Sequence, residues 1–391
     1  MSDPIFDPFS FAVHADPYPF YRRLRDEHPC YWSEGARCWV LSRHADVFAA
    51  LHDWPHFSNT GGNVIDDSKA KLGRTVGSVD PPRHTRLRAL VNEAFGRRRI
   101  AEEAAFLQAA AARVVEGVAG RPGFDLVRDV TSPLAGEVMA HLLGIAGTDL
   151  VQFKRLIDLS MYRDPETRSR TAEGEAAQAA LFGLVAQQVE ARRANPGEDM
   201  ITALLTIEIE GERLEGDSVV WMARAVFGAG FESTSSFLAN SVLALMAHPG
   251  VREELAADHA LIPDAVEEFL RWETPAQRFA RTIAQPVELH GKLMRPGEKV
   301  MLAYGSANRD ERAFPEPDVL DIRRRPTRHL GLGHGIHFCA GAALARSVAR
   351  VFLGAVLDRL PVLERAEDGP IDWAHSPTFR SPVSLPVRAA T

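Results

Sequence analysis

The chain has 391 residues, 46% hydrophobic and 25% charged, which is the composition of a folded globular protein rather than a disordered or fibrous one. A net charge of −7 argues against general nucleic-acid binding. Its three cysteines, Cys30, Cys38 and Cys339, give neither a disulfide framework nor a zinc spacing, which suits a reducing cytoplasm. The start, Met1 to Pro8, has no basic or apolar leader region, so neither a secretory signal nor a membrane anchor is expected. The longest uncharged stretch, Ser233 to Val251, carries Ser, Thr, Asn, His and Pro and reads as a buried helix, not a membrane span. The expectation is a soluble cytoplasmic protein.

In chain order the pattern is mainly α with small β-sheets. A short helix is expected over Pro19 to Glu27, a hairpin over Tyr31 to Leu41 and a second short helix over Ala45 to Leu51. Phe57 to Val79, rich in Gly and polar residues, reads as an irregular loop. Asp80-Pro81-Pro82 then reads as an N-cap and first turn, leading a helix to about Phe95. Helices follow over residues 100–120, 131–144, 148–160, 170–194 and 198–207. Asp217 is expected to cap a long helix from Ser218 to Ala247, ended by His248-Pro249-Gly250, and another helix covers Pro263 to Trp272. Strands are expected over Phe279 to Ile283, Val287 to Leu289 and Val300 to Leu302, and a last helix from Ala340 to about Leu360. No repeat or linker divides the chain, so one domain over residues 1–391 is expected.

Chemistry concentrates around Cys339, which lies in Gly331-Leu332-Gly333-His334-Gly335-Ile336-His337-Phe338-Cys339-Ala340-Gly341 just before a helix. Free N–H groups and the helix dipole at that place favour a thiolate, which can ligate a metal. Read alone, the cysteine fits equally a small buried hydrophobe. One sulfur suits haem better than zinc or an iron–sulfur cluster, which need several ligands at short spacing. In the long helix, Ala229-Gly230-Phe231-Glu232-Ser233-Thr234 sets an acid beside two hydroxyls at a turn weakened by glycine. That arrangement could relay protons beneath a flat ligand, or be a solvated Glu with back-bonded hydroxyls. Glu268 and Arg271 share a helix face at i, i+3. His84, Arg88, Arg281 and His337 could clamp a dianion, although scattered basic residues usually face solvent.

Taken together, these residues resemble the cytochrome P-450 family, in its soluble bacterial type. The cysteine loop F-x-x-G-x-[HR]-x-C-x-G is met by Gly335, His337, Cys339 and Gly341, with Leu332 where the family has Phe. The helix motif A-G-x-[DE]-T-[TS] is met by Ala229, Gly230, Glu232 and Thr234, with Ser233 in place of the first Thr. Glu268 and Arg271 match E-x-x-R, Arg324 matches its second arginine, and Asp80 to Arg88 match D-P-P-x-H-x-x-x-R. The resemblance runs in order from about residue 15 to the C-terminus.

It implies haem b, with Cys339 as the metal ligand and His84, Arg88, Arg281 and His337 holding the propionates. Ala229, Gly230, Gly335 and Gly341 would lie against the cofactor. Glu268, Arg271 and Arg324 would form a structural network behind the cysteine loop. Glu232 and Ser233, with Thr234 beside them, would deliver protons to dioxygen, the serine with looser control than a threonine. Ala225, Gly228, Ala229 and Ser233 share a helix face, which with Gln277 and Phe279 would line a roomy substrate pocket. Arg278 has either a haem-side or a solvent role, with a substrate carboxylate as a further option. Arg86, Arg97, Arg98, Arg99, Arg323, Arg325 and Arg328 would attract an acidic ferredoxin-type electron donor.

The activity implied is a monomeric monooxygenase that inserts one oxygen atom from O2 into a small or medium organic substrate, by hydroxylation, dealkylation or epoxidation. Alternatives are a peroxide-using or redox-neutral enzyme of the same fold, and a non-catalytic haem sensor. The relay and the open helix face speak against both.

Overall fold

The longest described helix, Asp217–Ala247, runs through the centre of the molecule for about 46 Å at 1.5 Å per residue. The computed structural model describes residues 5–390 except 96, 146, 148, 210, 211 and 215, and backbone only for residues 93–95, 97, 99, 209 and 212. Most of the middle of the helix is buried on all sides, because helices Ser132–Leu143 and Ala172–Ala194 pack along it and helices Ile262–Trp272 and Ala342–Arg359 approach from elsewhere. Leucine, valine, phenylalanine and alanine from these helices form one large core.

The β structure is small, as expected. Five strands form the main sheet in the order Cys30–Ser33, Cys38–Leu41, Lys299–Ala303, Arg278–Ile283, Phe57–Ser58. Lys299–Ala303 lies parallel to Cys38–Leu41 and antiparallel to Arg278–Ile283, with Met301 opposite Ala280 and Val300 opposite Arg281. Segments far apart in sequence are thereby joined in one sheet. The two-residue period of strand Arg278–Ile283 sends Phe279 and Arg281 to one face and Arg278 and Ala280 to the other.

Several expected boundaries shift. The helix expected after Asp80 begins at Arg83. Instead of capping it, the Asp80 carboxylate accepts from Ser58 Oγ at 2.5 Å and Asn59 N at 3.0 Å, tying down the loop that precedes it. Asp217 is the first helical residue and Gly216 occupies the cap position. The stretch expected as one helix over 100–120 is two, Arg97–Glu102 and Ala104–Glu116. The loop over 57–79 contains a short strand, Phe57–Ser58, and a turn of 3₁₀ helix, Val76–Ser78. Cys30 and Cys38 are buried, and burial pushes each thiol up to about 12, so neither is reactive. No helix among the described residues is long and apolar enough to cross a membrane.

One ion-pair cluster joins the last helix to its neighbours. Glu267 accepts from Arg346 Nε at 2.6 Å and Nη2 at 2.8 Å, and lies 3.1 Å from His329 Nε2. Burial alone would raise this carboxyl, but the Arg346 and His329 hydrogen bonds outweigh it and hold the group at about 2 instead of 4.5. A depressed folded pKa adds stability that is complete above 4.5 and disappears as pH falls towards 2. Because the group is partly exposed and solvent screens the pair, the shift contributes only about 1 kcal/mol. Urea unfolding across that acid range should lose stability more gently in Glu267→Gln than in the parent, while at neutral pH the variant is the less stable of the two.

Candidate active site

The loop that carries Cys339 is fixed by backbone contacts before any side chain acts. Gly335 has φ +68°, and a Cβ there would stand 2.2 Å from the Leu51 carbonyl oxygen, so only glycine lets the loop lie this close to helix His44–His52. The Cys339 N–H donates to the Leu332 carbonyl at 2.9 Å. The helix that follows begins at Ala342, with Gly341 as its cap residue. The Gly341 N–H points at the sulfur and, with Arg88 and Arg346, favours the thiolate, yet burial outweighs them and raises the thiol above its ordinary value. The helix mouth alone does not generate the thiolate expected from the sequence; a bound metal cation would have to supply the rest.

Cys339 opens onto a cavity of about 460 Å³ between this loop and the central helix. His84 and His337 meet edge to face with ring centroids 4.3 Å apart, and both leave a buried Nε2 without a hydrogen-bond partner. Burial, followed by the charges of Arg281, His84 and Arg88, pulls His337 down to about 2, so its ring is neutral at pH 7. Arg88 and Arg281 line the cavity beside them, Arg88 donating to the Phe338 carbonyl at 2.5 Å and Arg281 to the Ala280 carbonyl at 2.8 Å. Two guanidiniums and the His337 ring line the cavity, with His84 packed against His337, and this set of donors suits an anion. With one sulfur facing the same space, this donor set fits haem and its propionates.

Above the cysteine, Ala225, Gly228, Ala229, Ser233 and Thr234 line the cavity. Ala229 is exposed although the helix around it is buried, and nothing lies within 4 Å of a Cβ built on Gly228. The small-residue face is therefore open space, as expected, and not a packing seam. Gly230 is different. A Cβ there would stand 2.5 Å from Met139 Sδ, so this glycine also admits a neighbouring helix, a reason other than approach of a flat ligand. The Ser233 hydroxyl donates to the Ala229 carbonyl at 2.6 Å, which holds it more firmly than the loose control expected for serine.

Glu232 does not open on the cavity. It is buried on the adjacent face, where Lys154 Nζ donates to it at 3.1 Å, and Lys154 also pairs with the part-exposed Asp158. Burial disfavours the Lys154 ammonium, but Glu232 and Asp158 together keep its pKa above the ordinary value. Burial, reinforced by Glu232 and opposed by Lys154, pushes Asp158 up to about 6. The sequence reading missed Lys154 and Asp158, whose i, i+4 spacing looks like any exposed helix pair.

Gln277 is a second correction. It is fully buried away from the cavity, accepting from Tyr21 Oη at 3.1 Å and donating to the Thr274 carbonyl at 2.8 Å. Phe279 does line the cavity, against Tyr304 and Phe379. Arg278 lies on the opposite face of its strand, buried with its guanidinium 5.7 Å from the Phe6 ring, so it greets neither substrate nor solvent.

Glu268 and Arg271 form a fully buried bidentate pair, with Nε to Oε2 at 2.8 Å and Nη2 to Oε1 at 2.6 Å, joined by Arg324 Nε at 3.2 Å. Of the expected basic patch, Arg98, Arg323, Arg325 and Arg328 are exposed and Arg86 is half-buried. Arg323 pairs with Glu254 and Arg325 with Asp264. The side chains of Arg97 and Arg99 lie outside the described residues.

The loop glycine, the orphaned imidazoles and the open helix face define the haem-thiolate class of site, and the comparisons agree. The cytochrome P-450 family model matches residues 102–384. The chain is 35% identical to cytochrome P-450 123 of Mycobacterium tuberculosis over 394 residues, covering 99% of this chain and 98% of that protein. It is also 35% identical to the cytochrome P-450 monooxygenase PikC of Streptomyces venezuelae, over 96% and 91% of the two chains. The crystal structure of CYP109E1 from Bacillus megaterium with testosterone superposes with a TM-score of 0.90 at 28% identity, covering 98% of this chain and 100% of that one. The chain belongs to the cytochrome P-450 family: it has that fold, takes haem as cofactor and is a monooxygenase acting on small molecules with O2.

Two substitutions, each with a control beside it, test this geometry. Gly335→Ala should cost more than about 2 kcal/mol through backbone strain and collision, and should purify with a lowered haem-to-protein ratio. Gly250→Ala, with open space around it, should retain haem. Lys154→Met leaves the Glu232 carboxylate buried and unpaired, and should lower the urea unfolding free energy by about 3 kcal/mol. Asp158→Asn, at a more exposed site, should cost under about 1 kcal/mol.

Proposed function

We propose that this chain is a single-domain, monomeric cytoplasmic monooxygenase whose iron ligand is Cys339 and whose electrons come from a separate ferredoxin and its reductase. In hydroxylation the substrate C–H bond becomes C–OH. One atom of O2 enters the product and the other leaves as water, with two electrons from the donor and two protons from the medium. The observation that carries this reading is the placement of the Cys339 sulfur and an open, hydroxyl-bearing helix turn on opposite walls of one cavity.

Bound haem supplies the redox iron at which dioxygen is reduced. His84, Arg88, Arg281 and His337 hold its propionates, filling the orphaned imidazole positions. Glu268, Arg271 and Arg324 act at a distance by fixing the loop path that presents the sulfur. Ser233 and Thr234 hold a proton-bearing hydroxyl at the cavity wall. Glu232, Lys154 and Asp158 form a charged chain from that turn to the part-exposed Asp158, whose carboxyl burial raises to about 6. Phe279 and Phe379 exclude water from the apolar side. Exposed Arg98, Arg323, Arg325 and Arg328 support steering of an acidic donor, although Glu254 and Asp264 offset part of that charge.

The test is spectral and kinetic. The reduced carbon monoxide complex of the haem-loaded protein should show the strongly red-shifted Soret band of a thiolate ligand, and Cys339→Ser should lose it. Product formation should require a reduced nicotinamide cofactor, ferredoxin and its reductase; equal turnover with peroxide alone would favour the peroxide-using alternative.

A further inference from the structure

Away from the cysteine, the cavity wall holds four cations, Lys71, Arg163, Arg170 and Arg224. Three have carboxylate partners. Lys71 Nζ lies 2.9 Å from Asp67, Arg163 Nη2 donates to Asp66 at 3.0 Å, and Arg170 Nη1 donates to Glu175 at 2.8 Å. Arg224 has no carboxylate within ion-pair distance among the described residues. Its Nε is buried without a hydrogen-bond partner, and its guanidinium lies 5.2 Å from the Trp221 ring centroid. An aromatic face recovers only part of the hydration a guanidinium loses on burial. Burial, with Arg170 nearby and Asp67 partly opposing, pulls the group down to about 10, so it remains charged at pH 7.

Position completes the argument. Arg224 lies one turn before Gly228, at the edge of the open face of the central helix, and about 13 Å along the axis from Ser233 at 1.5 Å per residue. The same cavity has an apolar lining that includes Phe153, Ile157, Leu181, Phe237 and Phe379, while Asp66 and Asp67 also line it but are paired with Arg163 and Lys71. The site thus presents one cation without a carboxylate partner, apolar side chains and, about two and a half turns further along the helix, the hydroxyl-bearing turn to one space.

We propose that the substrate is an elongated monocarboxylic acid whose carboxylate is taken by Arg224 and whose apolar part reaches the turn at Ser233. This rests on the haem-thiolate reading above and narrows it to a substrate class. The carboxylate supplies the anionic acceptor that Arg224 lacks, through charge-assisted hydrogen bonds. Oxidation falls well away from the acid group, because the two are held at opposite ends.

The haem-loaded protein is titrated with decanoate, dodecanoate and tetradecanoate, each against its methyl ester and the alkyl phosphate of the same length, following the iron spin-state absorbance change. The expected result is that at least one acid binds tenfold or more tightly than its ester, that Arg224→Gln brings that ratio near unity, and that Arg224→Lys restores part of it. Equal affinity of acid and ester, no binding by any acid, retention of the acid preference in Arg224→Gln, or tighter binding of the alkyl phosphate would each overturn the assignment. The reduced carbon monoxide spectrum, recorded for every variant, separates the two readings. A thiolate band without acid preference removes only the carboxylate inference, whereas a missing band in the parent removes the haem-thiolate reading itself.

Discussion

A guanidinium buried without solvent depends on whether every donor finds an acceptor, and in Arg271 all five do. Two meet Glu268, and the others meet the carbonyls of Asn308, Pro317 and Val319. Glu268 in turn also accepts from Arg324 Nε and the Asp321 N–H. A buried ion pair is a poor source of stability when part-satisfied, because desolvation outweighs the Coulomb gain. Fully satisfied, it specifies geometry: three carbonyls and one N–H from an irregular stretch are each held at one place. That stretch leads directly to the cysteine loop, so the position of the sulfur depends on a pair that never touches the cavity.

The same principle, read in reverse, marks the site. Most buried polar groups in this chain have partners, and several of the exceptions cluster where a ligand belongs. His84 and His337 lack them beside the cysteine, and Arg224 lacks one at the far end of the cavity. The two places share one arrangement, a charged or polar group held dry by a packed wall.

Sequence and structure agree where local pattern decides and part where tertiary contacts decide. The central helix, the main strands and the Glu268–Arg271 pair were legible because periodicity and i, i+3 spacing are backbone properties. The open face of Ala225, Gly228 and Ala229 was legible for the same reason. Arg224, next to that face, carried a signal that could have been used: a lone charge among small residues. By contrast, the direction of Glu232 is set by Lys154, a residue 78 positions away. Gln277 turns from the cavity because Tyr21 and Thr274 satisfy its amide, and Asp80 leaves its helix to hold Ser58 and Asn59. Nothing in the spacing of these residues announces such partners. The burial that opposes the helix mouth at the Cys339 thiol comes from the fold and has no sign in the loop sequence.

The near-contact between Gly335 and the Leu51 carbonyl has a mechanical side. Phe48 packs 4.7 Å from the His334 ring, and His52 lies 5.2 Å from it, so the cysteine loop and helix His44–His52 are clamped at several points. The helix in turn packs on the sheet strand Lys299–Ala303, whose neighbour carries Phe279 and Arg281 into the cavity. Loop, helix and sheet thus form one continuously packed unit, in which the element that positions the sulfur and the one that carries Phe279 and Arg281 share a common support.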